Sequence, residues 1–278
     1  MNGLINLGNT CYMNSALQFL LNVDDFVLFV KNNSNESNFL NIMNIFINNY
    51  ENKKQILNPI EIKKYIGKNV SMFNNFNQHD SSELIIYLID LINKETENKI
   101  SHKISDSFNI KYVTSVKCKL LKCLKENENK SEDIFLCLSY SENLTKSYRD
   151  YKQNEKLEKE NSYMCETCNK KTIARKKIVI NKWPKNLFIL LNRYTNSLQK
   201  RGSKIEVPLN WRHNYKLKGG IIHMGSLSGG HYVYFGYKNN NWYLFNDSRI
   251  TLLSNENLNN IKNNAYILHY KMSSNIDA

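Results

Sequence analysis

The periodicity of apolar residues changes once along this sequence, and that change constrains the fold strongly. Up to about Glu95, apolar residues recur every three or four positions, as on one face of amphipathic helices. Beyond Phe108, runs rich in aromatic and branched residues predict strands at 108–116, 187–194, 231–237, 242–245 and 265–270. Helices followed by strands in this order predict an α+β fold.

The same pattern predicts loops and an insertion. Apolar residues are sparse at 31–38 and 50–59, which predicts loops between short helices. A charged stretch at 125–161, interrupted by the apolar residues 134–138, predicts an exposed and partly mobile insertion. With 278 residues, 41% of them hydrophobic, the chain is long enough to bury a substantial core.

The sequence also indicates a cellular environment. The N-terminus lacks a basic stretch followed by an apolar run, and no apolar run reaches the roughly 18 residues that span a bilayer. Six cysteines are too few for a disulfide-dense secreted scaffold. We therefore expect a soluble, intracellular protein with no membrane partner, in a reducing compartment such as the cytoplasm or nucleus. Its cysteines are then expected to serve catalysis or metal binding.

The net charge of +13 raises the hypothesis of a nucleic-acid partner, because basic surfaces bind phosphates. Only six of the 38 basic residues are arginine, and the lysines are scattered rather than grouped in one tract. Abundant lysine, asparagine and isoleucine together are typical of coding bias in an AT-rich genome. The sequence therefore disfavours nucleic-acid binding.

Cys11 occupies a position at which a thiol can act as a nucleophile. Apolar residues follow it at helical spacing, which predicts a helix with Cys11 in its first turn and Asn9 or Thr10 as N-cap. The free N–H groups and positive dipole end of such a helix favour the thiolate. Asn6 and the Cys11 backbone N–H can both donate hydrogen bonds to an oxyanion near the sulfur. A small buried cysteine in a core helix explains the pattern equally well.

A second group of polar residues lies near the C-terminus. Two strand-like runs joined by a tight, Asn-rich turn bring His231 beside Asn246. A histidine that takes the thiol proton, with a polar side chain that orients its ring, completes a cysteine-protease set. Gly229 and Gly230 precede the histidine, and glycines let a loop move or a substrate backbone pass closely. Alternatively, His231 is an ordinary strand histidine, and Asn246 and Asp247 are turn formers.

These segments resemble the two catalytic boxes of the ubiquitin-specific protease family. The first box is the run Gly3-Leu-Ile-Asn-Leu-Gly-Asn-Thr-Cys11-Tyr-Met-Asn-Ser, and the second combines Gly230-His231-Tyr with Trp242-Tyr-Leu-Phe-Asn246-Asp247. Segments between the boxes, at 78–84, 187–194 and 204–208, also resemble the family. The resemblance extends from Gly3 to about Tyr270, nearly the whole chain, and the pairing of both boxes is highly specific.

The resemblance implies a fold. We expect an α+β, papain-like cysteine protease in a single catalytic domain over 1–278. Its parts are a mainly helical thumb at 1–107, a strand-built fingers subdomain with the charged insertion at 108–185, and a mainly β palm at 186–278.

The resemblance also implies roles. Cys11 is the expected nucleophile, His231 the general base and then acid, Asn246 the residue that orients His231, and Asn6 the oxyanion-hole asparagine. Asp247 matches a neighbouring acidic position that can also support catalysis, and the sequence does not separate it from Asn246. The implied reaction hydrolyses the bond after the C-terminal Gly-Gly of ubiquitin through an acyl-enzyme, with no cofactor for catalysis. The implied partners are ubiquitin and ubiquitinated proteins, and we expect a monomer.

Five residues are expected to contact the ubiquitin tail, namely Asp80, Glu83, Gly229, Gly230 and Tyr232. The spacing of Asp80 and Glu83 before an apolar run also predicts a capping box, with Glu83 reaching back to the N–H of Asp80. In the family, the matching carboxylates contact the basic ubiquitin tail, which fits charge-assisted bonding to arginine. We favour tail binding by one or both carboxylates over capping alone.

Two cysteine pairs, Cys118 with Cys123 and Cys165 with Cys168, have spacings compatible with a tetrahedral zinc site. The family often carries a structural zinc site of this kind at the tips of its fingers, although the first pair departs from the usual two-residue gap. The alternatives are four free thiols or the relic of a lost site. Cys137 lies in an apolar run and is expected in the core.

Three other functions compete with deubiquitination. The same channel can accept the tail of a different ubiquitin-like modifier. A ubiquitin-binding pseudoprotease is a second alternative, against which the intact Cys11, His231, Asn246 and Asn6 argue. A zinc-bearing nucleic-acid binder is the third, and it leaves both catalytic boxes unexplained.

Overall fold

A computed structural model describes residues 1–123, 125–193, 204–226 and 229–273. Its helices are α1 (Cys11–Leu21), α2 (Asp24–Asn32), α3 (Asn38–Asn52), α4 (Ile60–Asn69), α5 (Ser81–Glu95), α6 (Leu144–Tyr151) and α7 (Asn255–Lys262). Short 3₁₀ turns lie at 71–73, 104–107 and 159–161. The loops predicted at 31–38 and 50–59 are confirmed at 33–37 and 53–59.

The strands form one large and two smaller sheets. They are β1 (Ile110–Cys118), β2 (Glu126–Asp133), β3 (Phe135–Ser139), β4 (Glu155–Leu157), β5 (Tyr163–Cys165), β6 (Lys170–Thr172), β7 (Ala174–Lys182), β8 (Asn186–Asn192), β9 (Asn210–Trp211), β10 (Tyr215–Ser226), β11 (Gly229–Lys238), β12 (Asn241–Asn246), β13 (Arg249–Leu252) and β14 (Ile267–Met272). The large sheet has the order β13-β12-β11-β10-β14-β8-β3, with β9 beside β10. The second sheet has the order β2-β1-β7-β4, and β5 pairs with β6.

The predicted α+β fold is confirmed, and α1 lies at its centre. All eleven residues of α1 are buried, because the helix packs against β11 of the large sheet and against α5. No single helix among the described residues is long and apolar enough to cross a membrane. The pair α1 and α2, bent by 85°, passes that test of length and composition together. The central position of α1 holds its first residue, Cys11, at the junction of helices and sheet.

Expectations about the middle of the chain are met in part. Residues 125–161 contain β2, β3, α6 and β4, and β2 is mostly exposed, as expected. Strand β3 pairs in parallel with β8 in the large sheet and buries Phe135, Leu136 and Leu138. Cys137 is exposed rather than in the core, since β3 is an edge strand that is open to solvent at this position. The predicted end of the neighbouring strand, Tyr194, lies outside the described residues.

Candidate active site

The first turn of α1 has no side-chain cap. Thr10 is the N-cap residue, but its hydroxyl accepts the Leu7 N–H at 2.7 Å instead of a helix N–H. The expected N-cap position is confirmed at Thr10, although no side chain caps the helix. Asn9 has a left-handed φ of 53° and donates from its side chain to Phe76 O. The helix N–H groups around Cys11 stay available to an anion that forms beside the sulfur.

Burial determines the resting state of the Cys11 thiol. Cys11 is 2% exposed, and desolvation raises the pKa of its thiol above the ordinary value. Hydrogen bonds with the Tyr232 backbone and the helix N-terminus oppose this effect, while the charge of Asp247 adds to it. The N–H groups at the helix start lower the pKa of the thiol, as the sequence predicts, but desolvation outweighs them and the net direction is upward. Such a thiol needs a base to remove its proton.

His231 supplies a base whose ring is held by Asn246. The Nε2 atom of His231 lies 2.7 Å from Asn246 Oδ1, at the end of the β11–β12 hairpin. A carbonyl oxygen can only accept, so Nε2 carries the proton and Nδ1 keeps a lone pair. That tautomer leaves Nδ1 able to take a proton from a thiol. The structure thus brings together the two residues that the hairpin pattern predicted.

Asp247 contacts the N-terminal box instead of His231. Its Oδ2 accepts from the Asn6 amide at 2.9 Å, and its Oδ1 accepts from the Asn14 amide at 2.7 Å. Its backbone carbonyl accepts the Leu4 N–H at 2.8 Å. The other end of the Asn6 side chain is also fixed, because Oδ1 accepts the Thr10 N–H at 3.0 Å. Asp247 therefore orients Asn6, whereas Asn246 orients the histidine.

Asp80 and Glu83 have different surroundings. Asp80 caps α5, since its Oδ1 accepts the Ser82 N–H at 2.7 Å. Its Oδ2 accepts the hydroxyls of Tyr266 at 2.8 Å and Tyr232 at 3.1 Å. The carboxylate of Glu83 makes none of these contacts, and burial followed by the nearby charge of Asp80 raises the pKa of Glu83. The reciprocal half of the capping box is absent between these two residues, so Glu83 is the carboxylate that remains available to a ligand.

Sequence reasoning assigned no role to Gln78 or Asn14. Gln78 forms two hydrogen bonds with the backbone of Gly230, at 2.5 and 2.6 Å, and its Oε1 lies 3.6 Å from where a Cβ on Gly229 would be. Both polar residues stand inside the motifs that carry the family resemblance, at 78–84 and in the first box. Their position inside these motifs is the sequence signal that could have indicated a role for Gln78 and Asn14.

The four paired cysteines converge at one place. The Sγ atoms of Cys118, Cys123, Cys165 and Cys168 lie within 4.8 Å of one another, and those of Cys123 and Cys165 are 3.7 Å apart. Four thiolates bonded to zinc at 2.3 Å stand about 3.8 Å apart at the corners of a tetrahedron. A hydrogen bond with the Thr172 hydroxyl, followed by one with the Leu120 backbone, lowers the pKa of Cys118 to about 7. The soft donor set and its spacing fit a metal ion.

Comparison with known proteins identifies relatives over nearly the whole chain. The chain is 24% identical to ubiquitin carboxyl-terminal hydrolase 4 of Vanderwaltozyma polyspora over 96% of its own length and 40% of that protein. It is 26% identical to ubiquitin carboxyl-terminal hydrolase 3 of Homo sapiens over 96% of its own length and 67% of that protein. The chain thus spans less than half of the first relative and two thirds of the second.

Solved structures and a family model agree with these relatives. A chain of the SAGA Ubp8/Sgf11/Sus1/Sgf73 DUB module bound to ubiquitin aldehyde superposes with a TM-score of 0.81 at 23% identity, over 99% of this chain and 70% of that one. The same module bound to monoubiquitin gives a TM-score of 0.84 at 23% identity, over 99% and 69%. The ubiquitin carboxyl-terminal hydrolase model matches residues 2–270. With that match over most of its length, this chain belongs to the ubiquitin carboxyl-terminal hydrolase family.

Proposed function

We propose that this protein is a thiol-dependent deubiquitinase that hydrolyses the bond after the C-terminal Gly-Gly of ubiquitin. One observation carries the proposal: in a chain of this family, Cys11 stands at an uncapped helix start while His231 is held by Asn246 in the tautomer that can accept a proton. The ubiquitin-bound complexes of similar fold support ubiquitin as the substrate.

The reaction proceeds in two steps. The sulfur of Cys11 attacks the carbonyl carbon of the last glycine as Nδ1 of His231 takes the thiol proton. Asn6 and the N–H groups of the helix start stabilise the oxyanion, and His231 returns the proton to the departing amine. A water molecule then gives its proton to His231 and attacks the thioester, which releases the ubiquitin carboxylate and restores the thiol.

The surroundings of the site suit a tail that ends in two glycines. Gly230 has no space for a side chain, since a Cβ would lie 2.3 Å from His223 Nε2, and it therefore offers only backbone next to His231. A channel lined by backbone would admit a tail of two glycines and reject larger residues. Glu83 is the carboxylate available to bind an arginine of the tail, whereas Asp80 is occupied by its own cap and two tyrosines.

A structural zinc ion belongs to the same proposal. Cys118, Cys123, Cys165 and Cys168 would hold it and so join the end of β1 to the β5–β6 turn. Bound zinc would supply folding stability to this region, and no step of the hydrolysis depends on it.

The compartment and the assembly state are also proposals. All six cysteines are free thiols, which supports a reducing compartment. The expected monomer has no support from the solved structures of similar fold, because both are chains of a four-component module.

A ubiquitin probe with a C-terminal thiol-reactive group tests the function directly. We expect the purified protein to form one covalent adduct, which Cys11→Ala abolishes. A matched probe built on another ubiquitin-like modifier serves as the specificity control. No adduct in a folded protein that still binds ubiquitin would replace the hydrolase with a pseudoprotease, and reaction with the other modifier alone would replace the substrate.

A further inference from the structure

The side chain of Gln78 forms hydrogen bonds with the backbone of β11 at the residue just before His231. Its Nε2 donates to Gly230 O at 2.5 Å, and its Oε1 accepts the Gly230 N–H at 2.6 Å. Strand β12 pairs with β11 only from Tyr234 to Lys238, so Gly230 lies beyond the end of that ladder. A carboxamide carries the same donor and acceptor as a peptide group. Gln78 therefore takes the place of a neighbouring strand at this position.

Gly230 is a residue that needs such a restraint. A Cβ here would lie 2.3 Å from His223 Nε2 and 2.4 Å from Met224 O, so the position requires glycine. Glycine has more backbone freedom than any other residue, and fixing it costs more conformational entropy. Strand β10 pairs with β11 on one side, with Met224 opposite His231 and Gly225 opposite Gly230. Gln78 supplies the hydrogen bonds for the N–H and C=O of Gly230 itself.

Tyr232, the residue after His231, is also fixed by side-chain contacts. The Tyr232 hydroxyl donates to Asp80 Oδ2 at 3.1 Å, and its ring stacks on His223 with the ring centroids 4.4 Å apart. The Tyr232 backbone also bonds to Cys11. His231 is thus placed between two residues that the same segment, Gln78 to Asp80, fixes from the helical side of the molecule.

We propose that Gln78 is a positioning residue: its carboxamide fixes the backbone of Gly230 and thereby keeps the ring of His231 bonded through Nε2 to Asn246. This inference rests on the proposed function for its kinetic consequence, but its structural consequence is independent of any substrate. When Gly230 is released, the 2.7 Å bond from His231 Nε2 to Asn246 weakens. The ring is then free to carry its proton on Nδ1, which cannot accept a proton from the thiol.

The test uses Gln78→Met, which keeps the length of the side chain but removes both hydrogen bonds. Gln78→Glu is the second variant, because it keeps an acceptor but places a carboxylate oxygen against the Gly230 carbonyl. Ser37→Ala is the control for stability alone, since it removes the hydrogen bond that caps α3 at 3.1 Å, in a helix that carries no proposed site residue. All variants are first compared by melting temperature.

Long-range ¹H–¹⁵N spectra of the histidine rings provide the readout without ubiquitin, with His231 assigned by comparison with His231→Gln. We expect Nε2-protonated His231 in the parent protein and in Ser37→Ala, and a mixture of tautomers in both Gln78 variants. With a fluorogenic ubiquitin substrate, we expect kcat to fall between about tenfold and a hundredfold in the Gln78 variants, with KM within about twofold.

Two results would overturn the proposal. Folded Gln78 variants that keep the Nε2 tautomer and the parental kcat would show that Gln78 does not position His231. A rise in KM with unchanged kcat and tautomer would assign Gln78 to substrate binding instead. If the parent protein hydrolyses no ubiquitin substrate, the proposed function fails, while the tautomer comparison still decides the role of Gln78.

Discussion

Asn246 and Asp247 are neighbours in sequence but contact different partners. Their substitutions should therefore have different effects on kcat and on the free energy of unfolding. Asn246→Ala removes the acceptor of the His231 ring proton, so we expect kcat to fall at least about tenfold through loss of the productive tautomer. Asn246 is exposed, so the free energy of unfolding should stay within about 0.5 kcal/mol of the parent. Steady-state kinetics and urea unfolding measure both quantities.

Asp247→Asn should reduce both kcat and stability. The substituted amide keeps one acceptor oxygen, so its NH₂ group faces the donor amide of either Asn6 or Asn14, and Asn14 is buried. We expect kcat to fall about a hundredfold, as for loss of one oxyanion donor. The free energy of unfolding should fall by about 1–3 kcal/mol, because a buried polar group loses its partner. Equal stability losses in both variants would contradict the separate roles.

Tyr234 provides a second test at the level of single residues. Its side chain is fully buried, and its hydroxyl has no hydrogen-bond partner among the described residues. The buried hydroxyl of Tyr270, by contrast, donates to Pro208 O at 2.6 Å. We expect Tyr234→Phe to leave the free energy of unfolding unchanged or higher, and Tyr270→Phe to lower it by about 1 kcal/mol. Urea unfolding compares the pair, and a larger loss in Tyr234→Phe would mean that its hydroxyl is bonded.

Among the secondary-structure elements, β11 and β12 were predictable because each has a buried face, whereas the polar strand β2 was not. Strands β11 and β12 are rich in aromatic and branched residues because they line the core, and the sequence located both within two residues. Strand β2 consists of polar residues only and is mostly exposed at a sheet edge. It is joined to β1 by backbone pairing and by ion pairs such as Lys117–Glu126 at 3.6 Å. Neither interaction produces a hydrophobic pattern that a sequence can reveal.

Zinc binding by Cys118, Cys123, Cys165 and Cys168 can be tested directly. We expect about one equivalent of zinc per chain in protein purified without chelators, and less than about a tenth of an equivalent in Cys165→Ser, because a structural site needs all four ligands. A strong chelator should lower the melting temperature of the parent by several degrees. Cys137→Ser is the matched control, since Cys137 is an exposed thiol on β3 outside the cluster. If the parent protein contains no zinc, the four cysteines are free thiols and the proposed zinc site is wrong.

At the scale of the whole molecule, motifs led to the proposed reacting groups but not to the contacts that support them. Cys11 and His231 lie in the two segments whose residue order resembles the catalytic boxes of the family. The raised pKa of the Cys11 thiol depends on how deeply α1 packs against the sheet, which a sequence motif does not show. The bonds of Gln78 to Gly230 and of Asn14 to Asp247 join residues 152 and 233 positions apart, a proximity that only the folded chain creates.

The pH dependence of folding should report on one buried histidine, His269. Its ring is 1% exposed between the rings of Phe19 and Phe188, and its Nε2 lies 3.1 Å from Asn186 Oδ1. Burial, followed by the charges of nearby lysines, lowers the pKa of His269 to about 3. The unfolded chain binds a proton near pH 6.5, and the folded chain does not. The stability that neutral His269 contributes is therefore fully present above pH 6.5 and is lost as the pH falls toward 3.

The slope of this loss is about 1.4 kcal/mol per pH unit, so between pH 6.5 and pH 5 it amounts to about 2 kcal/mol. We expect urea unfolding at pH 7.5 and 5.0 to show that His269→Gln loses about 2 kcal/mol less than the parent over this interval, whatever its stability at pH 7.5. Exposed His102 gives the matched control, and His102→Gln should keep the parental pH dependence. If His269→Gln and the parent lose the same free energy on acidification, His269 accepts a proton in the folded state, and its site must then admit either water or a carboxylate.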